Sequence, residues 1–298
     1  MDIAKILGSF YERHISLVNK LQQAELLQDS IYHYTSEASL KSILNTGTIW
    51  FTRRDLLNDP TEHLHIHKIV EYCLLNGSLN SDFVEHIKQV NNFFFSCKNG
   101  SQCISIDKNI CLASFSMDGD ALPMWNCYAN SQQSEGYNIG FDFNLIRDNS
   151  DTFCIAPVIY KQTIQIEAIF EYLSFLEDMW LTTVDKTGKF DEAKNKINTA
   201  LSDYTSEVGC LFKSKSYEYE KEVRIIVHPK SKMLKTRESN GRSVYYLPVQ
   251  FEKNIVKSIT SSPTMDRNIA QNKIKNIIEQ EGYNVEIKHS NVPYRNSY

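Results

Sequence analysis

The sequence EYEKEVRIIV, residues 218–227, decides how we interpret the fold, because it predicts a β-strand with charge on one face. Successive side chains of a strand point to opposite faces of a sheet. The charged face consists of Glu218, Glu220, Glu222 and Arg224, and the apolar face of Val223, Ile225 and Val227. The apolar face can pack on a core, while clustered carboxylates favour a site that stabilises a developing cation or removes a proton. The alternative is an ordinary ion pair on a solvated edge strand.

Helical and strand patterns follow one another along the whole chain of 298 residues. An amphipathic pattern predicts a helix over 3–28, within an N-terminal helical segment 1–30, and a more polar helical pattern predicts an insertion over about 162–211. Strand patterns lie on both sides of this insertion. Because the chain contains no internal repeat and no Gly/Ser linker, we predict one α+β domain spanning 1–298.

The composition is typical of a soluble globular protein and argues against a broadly basic nucleic-acid-binding surface. Hydrophobic residues make up 42% and charged residues 23%, and the net charge is −4. The seven cysteines include no CxxC pair, which favours reduced thiols over a disulfide framework or a zinc ribbon. No apolar run reaches transmembrane length, and Met1–Lys5 is not followed by the apolar core of a signal peptide. We therefore expect a cytoplasmic protein without a membrane contact.

The first group of candidate residues follows the N-terminal segment. A short strand over 31–34 is predicted to lead into a helix that Ser36 caps and Gly47 ends. His33 lies where the strand approaches the N-terminus of this helix, whose free backbone N–H groups suit an anionic ligand such as a dinucleotide pyrophosphate. The alternative is a histidine whose hydrogen bonds are satisfied within the strand.

A second group surrounds the predicted turn 53–60. Arg53 begins this polar loop, and Asp59 precedes a proline, so that Glu62 lies in the first turn of a helix, where a carboxylate is favoured. On that helix His63 and His67 share a face, but a third ligand is not evident, and we expect no metal.

A third group combines serines with aromatic residues. Ser114 and Ser116 share one face of a buried strand over 111–116. Trp125 and Tyr128 are spaced i, i+3 on a predicted short helix, so both rings can line one wall. Aromatic walls hold flat heterocycles such as nicotinamide or adenine, although packing in the core is the usual role of such a pair.

Five separated blocks occur in a fixed order along this chain: YHYTS at 32–36, GTIWFT at 47–52, NDPTE at 58–62, MWNCYA at 124–129 and YEYEKEVR at 217–224. This pattern resembles an uncharacterised bacterial domain family found among abortive-infection and other anti-phage genes. The first block is similar to the opening of DarT-like ADP-ribosyltransferases, and the last resembles the Glu-x-Glu element of another clade of such transferases. The resemblance implies a split β-sheet core of the ADP-ribosyltransferase type.

The resemblance also implies roles for single residues. Glu222 would be the catalytic carboxylate, and Glu220 would take a proton from the acceptor. His33 would hold the ribose or the nicotinamide amide of NAD, and Trp125 or Tyr128 would stack on the nicotinamide. The full set of NAD-binding residues implied is His33, Tyr34, Thr35, Arg53, Ser114, Ser116, Trp125 and Tyr128.

The activity that this resemblance implies is transfer of ADP-ribose from NAD to a macromolecule, without a metal, by a toxin or anti-phage effector that an antitoxin or other regulatory partner restrains. An NADase that uses the same site is a close variant. Two other classes stay open. One is a metal-dependent nuclease using Asp59, Glu62, Asp118 and Asp120, and the other is a non-catalytic sensor or interaction module.

The acceptor is predicted from a local basic segment that follows the charged strand. Lys230, Lys232, Lys235 and Arg237 could guide a phosphate backbone towards the carboxylates. The net negative charge and the Glu-x-Glu element favour a protein acceptor instead. We give a slight preference to nucleic acid, either RNA or DNA.

Overall fold

The computed structural model describes residues 29–57, 62–96, 110–129, 136–148, 153–187, 190–230, 233–239 and 241–293. The predicted N-terminal helix over 3–28 lies outside these residues. So do Asp59 with the rest of the turn 58–61, and Lys232 in the basic segment.

The described residues form helices and strands that we number separately in chain order. The α-helices of six or more residues are α1 (Glu37–Thr46), α2 (Glu62–Asn76), α3 (Ser81–Ser96), α4 (Phe143–Asp148), α5 (Gln162–Thr187), α6 (Phe190–Val208) and α7 (Arg267–Glu281). The strands are β1 (Ser30–Ser36), β2 (Thr48–Arg53), β3 (Cys111–Ser116), β4 (Gly136–Asp142), β5 (Cys154–Pro157), β6 (Glu222–Val227), β7 (Lys235–Ser239), β8 (Arg242–Gln250), β9 (Val256–Ser261) and β10 (Glu286–His289). The mixture of one large sheet with separate helices confirms the predicted α+β class.

The ten described strands form one sheet that splits at β3. Eight of them follow the order β10-β9-β4-β1-β3-β2-β8-β7, while β6 pairs with β3 along its whole length and β5 pairs with β6. The second edge of β3 is shared, because β1 pairs with it at Ser116 and β2 pairs with it at Cys111 and Leu112. β1 and β2 therefore diverge along β3, and the backbone edge near the middle of this strand faces a gap in the ladder.

The two faces of the sheet differ in chemistry around β3 and β6. Phe115, Val223 and Ile225 belong to a large buried apolar cluster. Residues that alternate with these along the two strands point to the opposite face of the sheet, and residues paired across neighbouring strands share a face. We call the second side the polar face; it carries Tyr34, Ser114, Ser116, Glu222 and Arg224.

The predicted ends of α1 are confirmed, and local chemistry explains them. The Ser36 hydroxyl accepts a hydrogen bond from the Ser39 N–H at the start of the helix. Gly47 ends the helix in the left-handed region at φ 59°, which glycine adopts without a Cβ clash. These two residues set the direction in which β2 leaves the helix.

Contacts group the described residues into two compact units. One unit is drawn from 54–109 and 158–217 and contains α2, α3, α5 and α6. Its interior includes the stacked rings of Tyr172 and Tyr204, whose centroids are 3.7 Å apart. The predicted helical insertion over about 162–211 corresponds to α5 and α6. The other unit contains all ten strands, α1, α4 and α7, and the single-domain assignment stays a prediction.

Two element assignments from the sequence were wrong. The segment expected to be a basic loop over 230–237 contains the first half of β7, so Lys235 and Arg237 are strand residues. The charged strand predicted from Glu218 begins only at Glu222, because the preceding residues form a 3₁₀ helix over Lys215–Glu220. None of the described helices is long and apolar enough to cross a bilayer.

Candidate functional site

The two carboxylates of the Glu-x-Glu element approach the polar face from different backbone conformations. Glu222 is the first residue of β6, whereas Glu220 ends the 3₁₀ helix. Glu218 lies earlier in that helix and is exposed. The prediction that all three side chains share one strand face was therefore wrong, although Glu220 and Glu222 are both buried, with 2% and 4% of their surface exposed.

Glu222 forms an ion pair inside the protein. Arg224 donates from Nε to Oε1 of Glu222 at 2.8 Å and from a terminal nitrogen to Oε2 at 3.0 Å. Both side chains are buried, and β6 is an interior strand between β3 and β5, so the predicted ion pair exists but does not lie on a solvated edge. A fork-shaped guanidinium in this geometry keeps a buried carboxylate ionised.

Glu220 contacts a different group, the phenol of Tyr128. The Tyr128 hydroxyl donates to Oε1 of Glu220 at 2.7 Å. Burial and, after it, the hydrogen bond with Glu220 raise the pKa of Tyr128, so the phenol stays neutral and keeps its proton for donation. The ring of Tyr128 is 38% exposed, which leaves one side of it open to a ligand.

Backbone contacts from the end of β3 hold the turn between the two carboxylates. Lys221 is the one non-glycine residue of the described chain with a positive φ, at 44°. Its carbonyl accepts from the Met117 N–H at 2.9 Å, and the Ser116 hydroxyl donates to the carbonyl of Glu220 at 2.7 Å. Lys221 also donates from Nζ to Asp118 at 3.0 Å. The strained turn is thus fixed from three directions.

Asp118 takes part in this turn as a carboxylate. Burial raises the pKa of Asp118, but the hydrogen bond from Lys221 and a backbone N–H from Asp120 lower it more, so the net pKa lies below its ordinary value. Its carbonyl accepts from the Tyr34 hydroxyl at 2.8 Å. The sequence suggested Asp118 only as a metal ligand, because the fold that brings Lys221 to it is not visible in local patterns.

Trp125 is unavailable to a ligand. The segment Leu122–Met124 is helical and Trp125–Ala129 continues as a π-helix. The Trp125 ring is 0% exposed, packs edge-on against Tyr34 at 4.8 Å, and donates from Nε1 to Asp120 at 2.8 Å. Because the π-turn is wider than an α-turn, the i, i+3 residues do not share a wall as expected. Of the two predicted stacking rings, only Tyr128 is open.

His33 and Thr35 lie on the opposite side of β1 from Tyr34. The His33 ring reaches into the gap beside β3, where Nδ1 is 3.2 Å from the carbonyl of Ser114 and the ring centroid is 5.7 Å from that of Phe115. Burial lowers the pKa of His33, and the hydrogen bond to Ser114 opposes this effect only in part. A neutral ring that donates from Nδ1 keeps Nε2 as an acceptor.

The remaining predicted residues are placed as follows. Ser114 is exposed on the polar face, opposite Arg224. Arg53 does not join it, because it is paired with Cys111 on the apolar side and its guanidinium lies 4.3 Å from the centre of the Tyr245 ring. In the basic segment, Lys230 and Lys235 are exposed, and Arg237 lies over the ring of Trp50 at 5.2 Å.

A metal centre is not assembled by the part of the chain that the structure describes. No group of three or more His, Cys, Asp or Glu side chains there could hold an ion. The Asp120 carboxylate accepts from Trp125, from the Ser290 hydroxyl and from the Asn291 N–H. The five described cysteines are free thiols.

Comparison with known proteins gives a family match and distant structural neighbours. A family described as a protein of unknown function (DUF2971) matches residues 124–225, which contain the MWNCYA and YEYEKEVR blocks but not YHYTS. No curated protein matches the chain.

Two of the structural neighbours are structures of DarT from Thermus sp. 2.9. One is a complex with NAD+, with 9% identity over 88% of this chain and 94% of that chain and a TM-score of 0.34. The other is a complex with ADP-ribosylated single-stranded DNA, with 11% identity over 87% and 93% of the two chains and a TM-score of 0.33. Similarity at this level carries no argument about the function of this protein.

Proposed function

We propose that this protein is a mono-ADP-ribosyltransferase that takes ADP-ribose from NAD and transfers it to a nucleic acid. The observation that carries the proposal is the pair of buried carboxylates, Glu220 and Glu222, at one end of the polar face. Of the two sequence blocks that form this end, MWNCYA and YEYEKEVR, the second carries the Glu-x-Glu element that resembles that of such transferases.

The chemistry follows from the charge of Glu222. The bond between nicotinamide and the ribose C1′ breaks with its electron pair leaving on nicotinamide, and positive charge develops on the ribose. A carboxylate that Arg224 keeps ionised in a buried site stabilises this oxocarbenium-like state more strongly than water can. The acceptor then forms the new bond to C1′.

Glu220 supplies the second step in this proposal. A nucleophilic oxygen or nitrogen of the acceptor loses its proton as it attacks C1′, and Glu220 takes that proton. Tyr128 donates to Glu220 in the absence of substrate and presents an exposed ring on which nicotinamide can stack. Opening of the Tyr128–Glu220 hydrogen bond would free the carboxylate for the acceptor.

NAD is held in this proposal by groups that have hydrogen-bonding capacity to spare. The exposed Ser114 hydroxyl can bind a ribose or the nicotinamide amide, whereas His33 lies on the opposite side of β1 from Tyr34, so the proposal gives it no contact to NAD on the polar face. Tyr34, Ser116 and Trp125 support the site from buried positions, while Thr35 is buried on the other side of β1. NAD is the substrate, and no metal is required for these steps.

The acceptor path in this proposal begins at the basic segment. Lys230, Lys232, Lys235 and Arg237 attract a phosphate backbone, and we propose a cytoplasmic toxin or anti-phage effector that a regulatory protein keeps inactive. Production of Glu222→Gln in cells should then be tolerated where the native protein stops growth. Equal toxicity of the two proteins would contradict this cellular role.

The direct test is incubation of the purified protein with NAD labelled in the adenylate part, together with single-stranded DNA, RNA or a protein lysate. We expect label on nucleic acid, in the presence of a chelator as well as without it. Release of nicotinamide without labelled acceptor would indicate an NADase instead. Unchanged NAD and unlabelled acceptors under all conditions would contradict the proposal. Cleavage of the nucleic acid that a chelator abolishes would favour the nuclease.

A further inference from the structure

The polar face continues beyond the carboxylates onto β2, β8 and β7. On these strands positively charged side chains lie on the polar face, and Glu238 lies on the opposite face. Lys235 and Arg237 lie on this side because they pair with Tyr246 and Val244. Arg242 lies there too, because it is two residues before Val244 on β8. Glu238 lies on the opposite side, where it accepts from the Ser243 hydroxyl. The charged side chains of these three strands that share the face with Glu222 are therefore cations.

Two aromatic rings lie among these cations. Trp50 is 42% exposed, and its ring centroid is 4.5 Å from that of Tyr246, with an angle of 32° between the planes. The guanidinium of Arg237 lies 5.2 Å from the centre of the Trp50 ring. We call Trp50, Tyr246 and Arg237 the aromatic platform.

Arg237 has a polar group that the described protein leaves unsatisfied. Its Nε is buried and has no hydrogen-bond partner among the described residues. A buried donor without a partner is destabilising, which favours an acceptor supplied by a bound molecule. An anionic oxygen or a base carbonyl brought onto the platform would supply it.

The platform is continuous with the proposed active site. Directly paired residues form one row across five strands, from Ile226 through Leu112, Thr52 and Tyr246 to Lys235. Trp50 and Glu222 both lie on the same side of this row along the strand direction. Strand spacing and rise place them at least roughly 10–15 Å apart, since β2 diverges from β3 beyond Leu112, and a few nucleotides span such a distance.

We propose that the aromatic platform is a subsite for an unpaired base of a single-stranded nucleic acid, which it holds beside Glu220 and Glu222. This inference rests on the proposed function and adds to it a second contact area for the acceptor. An exposed indole stacks on any base, while the surrounding cations meet the phosphates. A duplex keeps its bases stacked on each other and cannot offer a free base face to Trp50.

Tryptophan fluorescence can report this contact with the full chain and without NAD. The protein has three tryptophans, of which Trp125 and Trp180 are buried and Trp50 is exposed. A single-stranded oligonucleotide of mixed sequence should therefore quench the exposed tryptophan, while its duplex should not. Equal quenching by single strand and duplex, or none at low salt, would overturn the proposal.

Matched variants identify the face. Trp50→Ala should weaken binding of a fluorescein-labelled single strand about tenfold, and Trp50→Phe should keep most of it. Arg237→Gln should reduce the slope of log affinity against log salt by about 1. The control is Tyr245→Ala, because Tyr245 is 39% exposed and lies beside Arg53, but on the opposite face of β8. Thermal unfolding checks that each variant folds.

The outcomes separate this inference from the proposed function. If NAD is consumed and Trp50→Ala binds as well as the native protein, or if Tyr245→Ala is equally harmful, the platform assignment is wrong while the transferase proposal stands. If the platform binds a single strand with these mutational effects but nicotinamide is never released, the binding surface stands and the transferase proposal fails.

Discussion

Glu220 and Glu222 are two positions apart and equally buried, yet the protein treats them differently. Glu222 lies in a regular strand and is paired with a guanidinium, whereas Glu220 lies in a 3₁₀ turn and accepts from a phenol at the edge of solvent. The first arrangement fixes a charge permanently. The second can open, because Tyr128 is partly exposed and uncharged. In the proposed reaction, this difference supports charge stabilisation by Glu222 and proton transfer by Glu220.

Removal of the Arg224 guanidinium should have the largest effect on the free energy of unfolding. Arg224→Met leaves the buried charge of Glu222 without this partner, and removal of one member of a buried pair typically costs about 3–5 kcal/mol. The matched control is Lys221→Met, which breaks an exposed ion pair with Asp118 and should cost less than about 1 kcal/mol. Urea unfolding of both variants measures the two costs, and similar values would show that Glu222 and Arg224 are not a buried pair.

Removal of the phenol should have a smaller effect. Tyr128→Phe keeps the ring and deletes the hydrogen bond to Glu220, which should lower the free energy of unfolding by about 1–2 kcal/mol. Nicotinamide release should persist because the stacking ring remains. A stability loss as large as that of Arg224→Met would contradict the assignment of a loosely held Glu220.

The left-handed turn at Lys221 can be tested by comparing the stabilities of a glycine and an alanine variant. Glycine is normally less stable than alanine within regular structure, but Lys221 has a left-handed backbone. Lys221→Gly should therefore be more stable than Lys221→Ala by about 1 kcal/mol, since both lose the same side-chain contact. The reverse order in thermal unfolding would mean that the two carboxylates are joined by an ordinary strand.

The smallest expected effect concerns pH and His33. The pKa of His33 is lowered in the folded protein. Below about pH 6.5 the unfolded chain takes up a proton that the native state resists, so the free energy of unfolding decreases as the pH is lowered. His33→Asn keeps a donor for the Ser114 carbonyl but does not titrate. Its melting temperature should change less than that of the native protein between about pH 7.5 and about pH 5.5. If the melting temperatures of the two proteins changed equally over this range, burial would not lower the pKa of His33.

The sequence predicted best what short-range chemistry decides. Ser36 and Gly47 define α1 because a cap and a left-handed residue act within one turn, and 111–116 was predicted as a buried strand, which is β3. Lys221 escaped prediction because a lysine carries no signal for a positive φ, which contacts from Met117 and Asp118 impose.

The candidate site was predicted in part for a similar reason. Residue types and blocks indicated Glu220, Glu222 and Tyr128, and the structure places these three together. The partners Asp118 and Lys221, and the burial of Trp125, depend on pairing between β3 and β6 and on a π-turn. Neither follows from the local spacing of side chains.

The central claim is that Glu222 carries the charge that permits cleavage of NAD. Its direct measurement is the rate of nicotinamide release by the native protein, by Glu222→Gln and by Glu218→Gln, the last being an exposed glutamate of the same segment. Glutamine keeps the shape but loses the charge, so Glu222→Gln should be slower by at least about a hundredfold while NAD still binds. Glu218→Gln should match the native rate. Equal rates for all three proteins, or a loss confined to Glu218→Gln, would contradict the account.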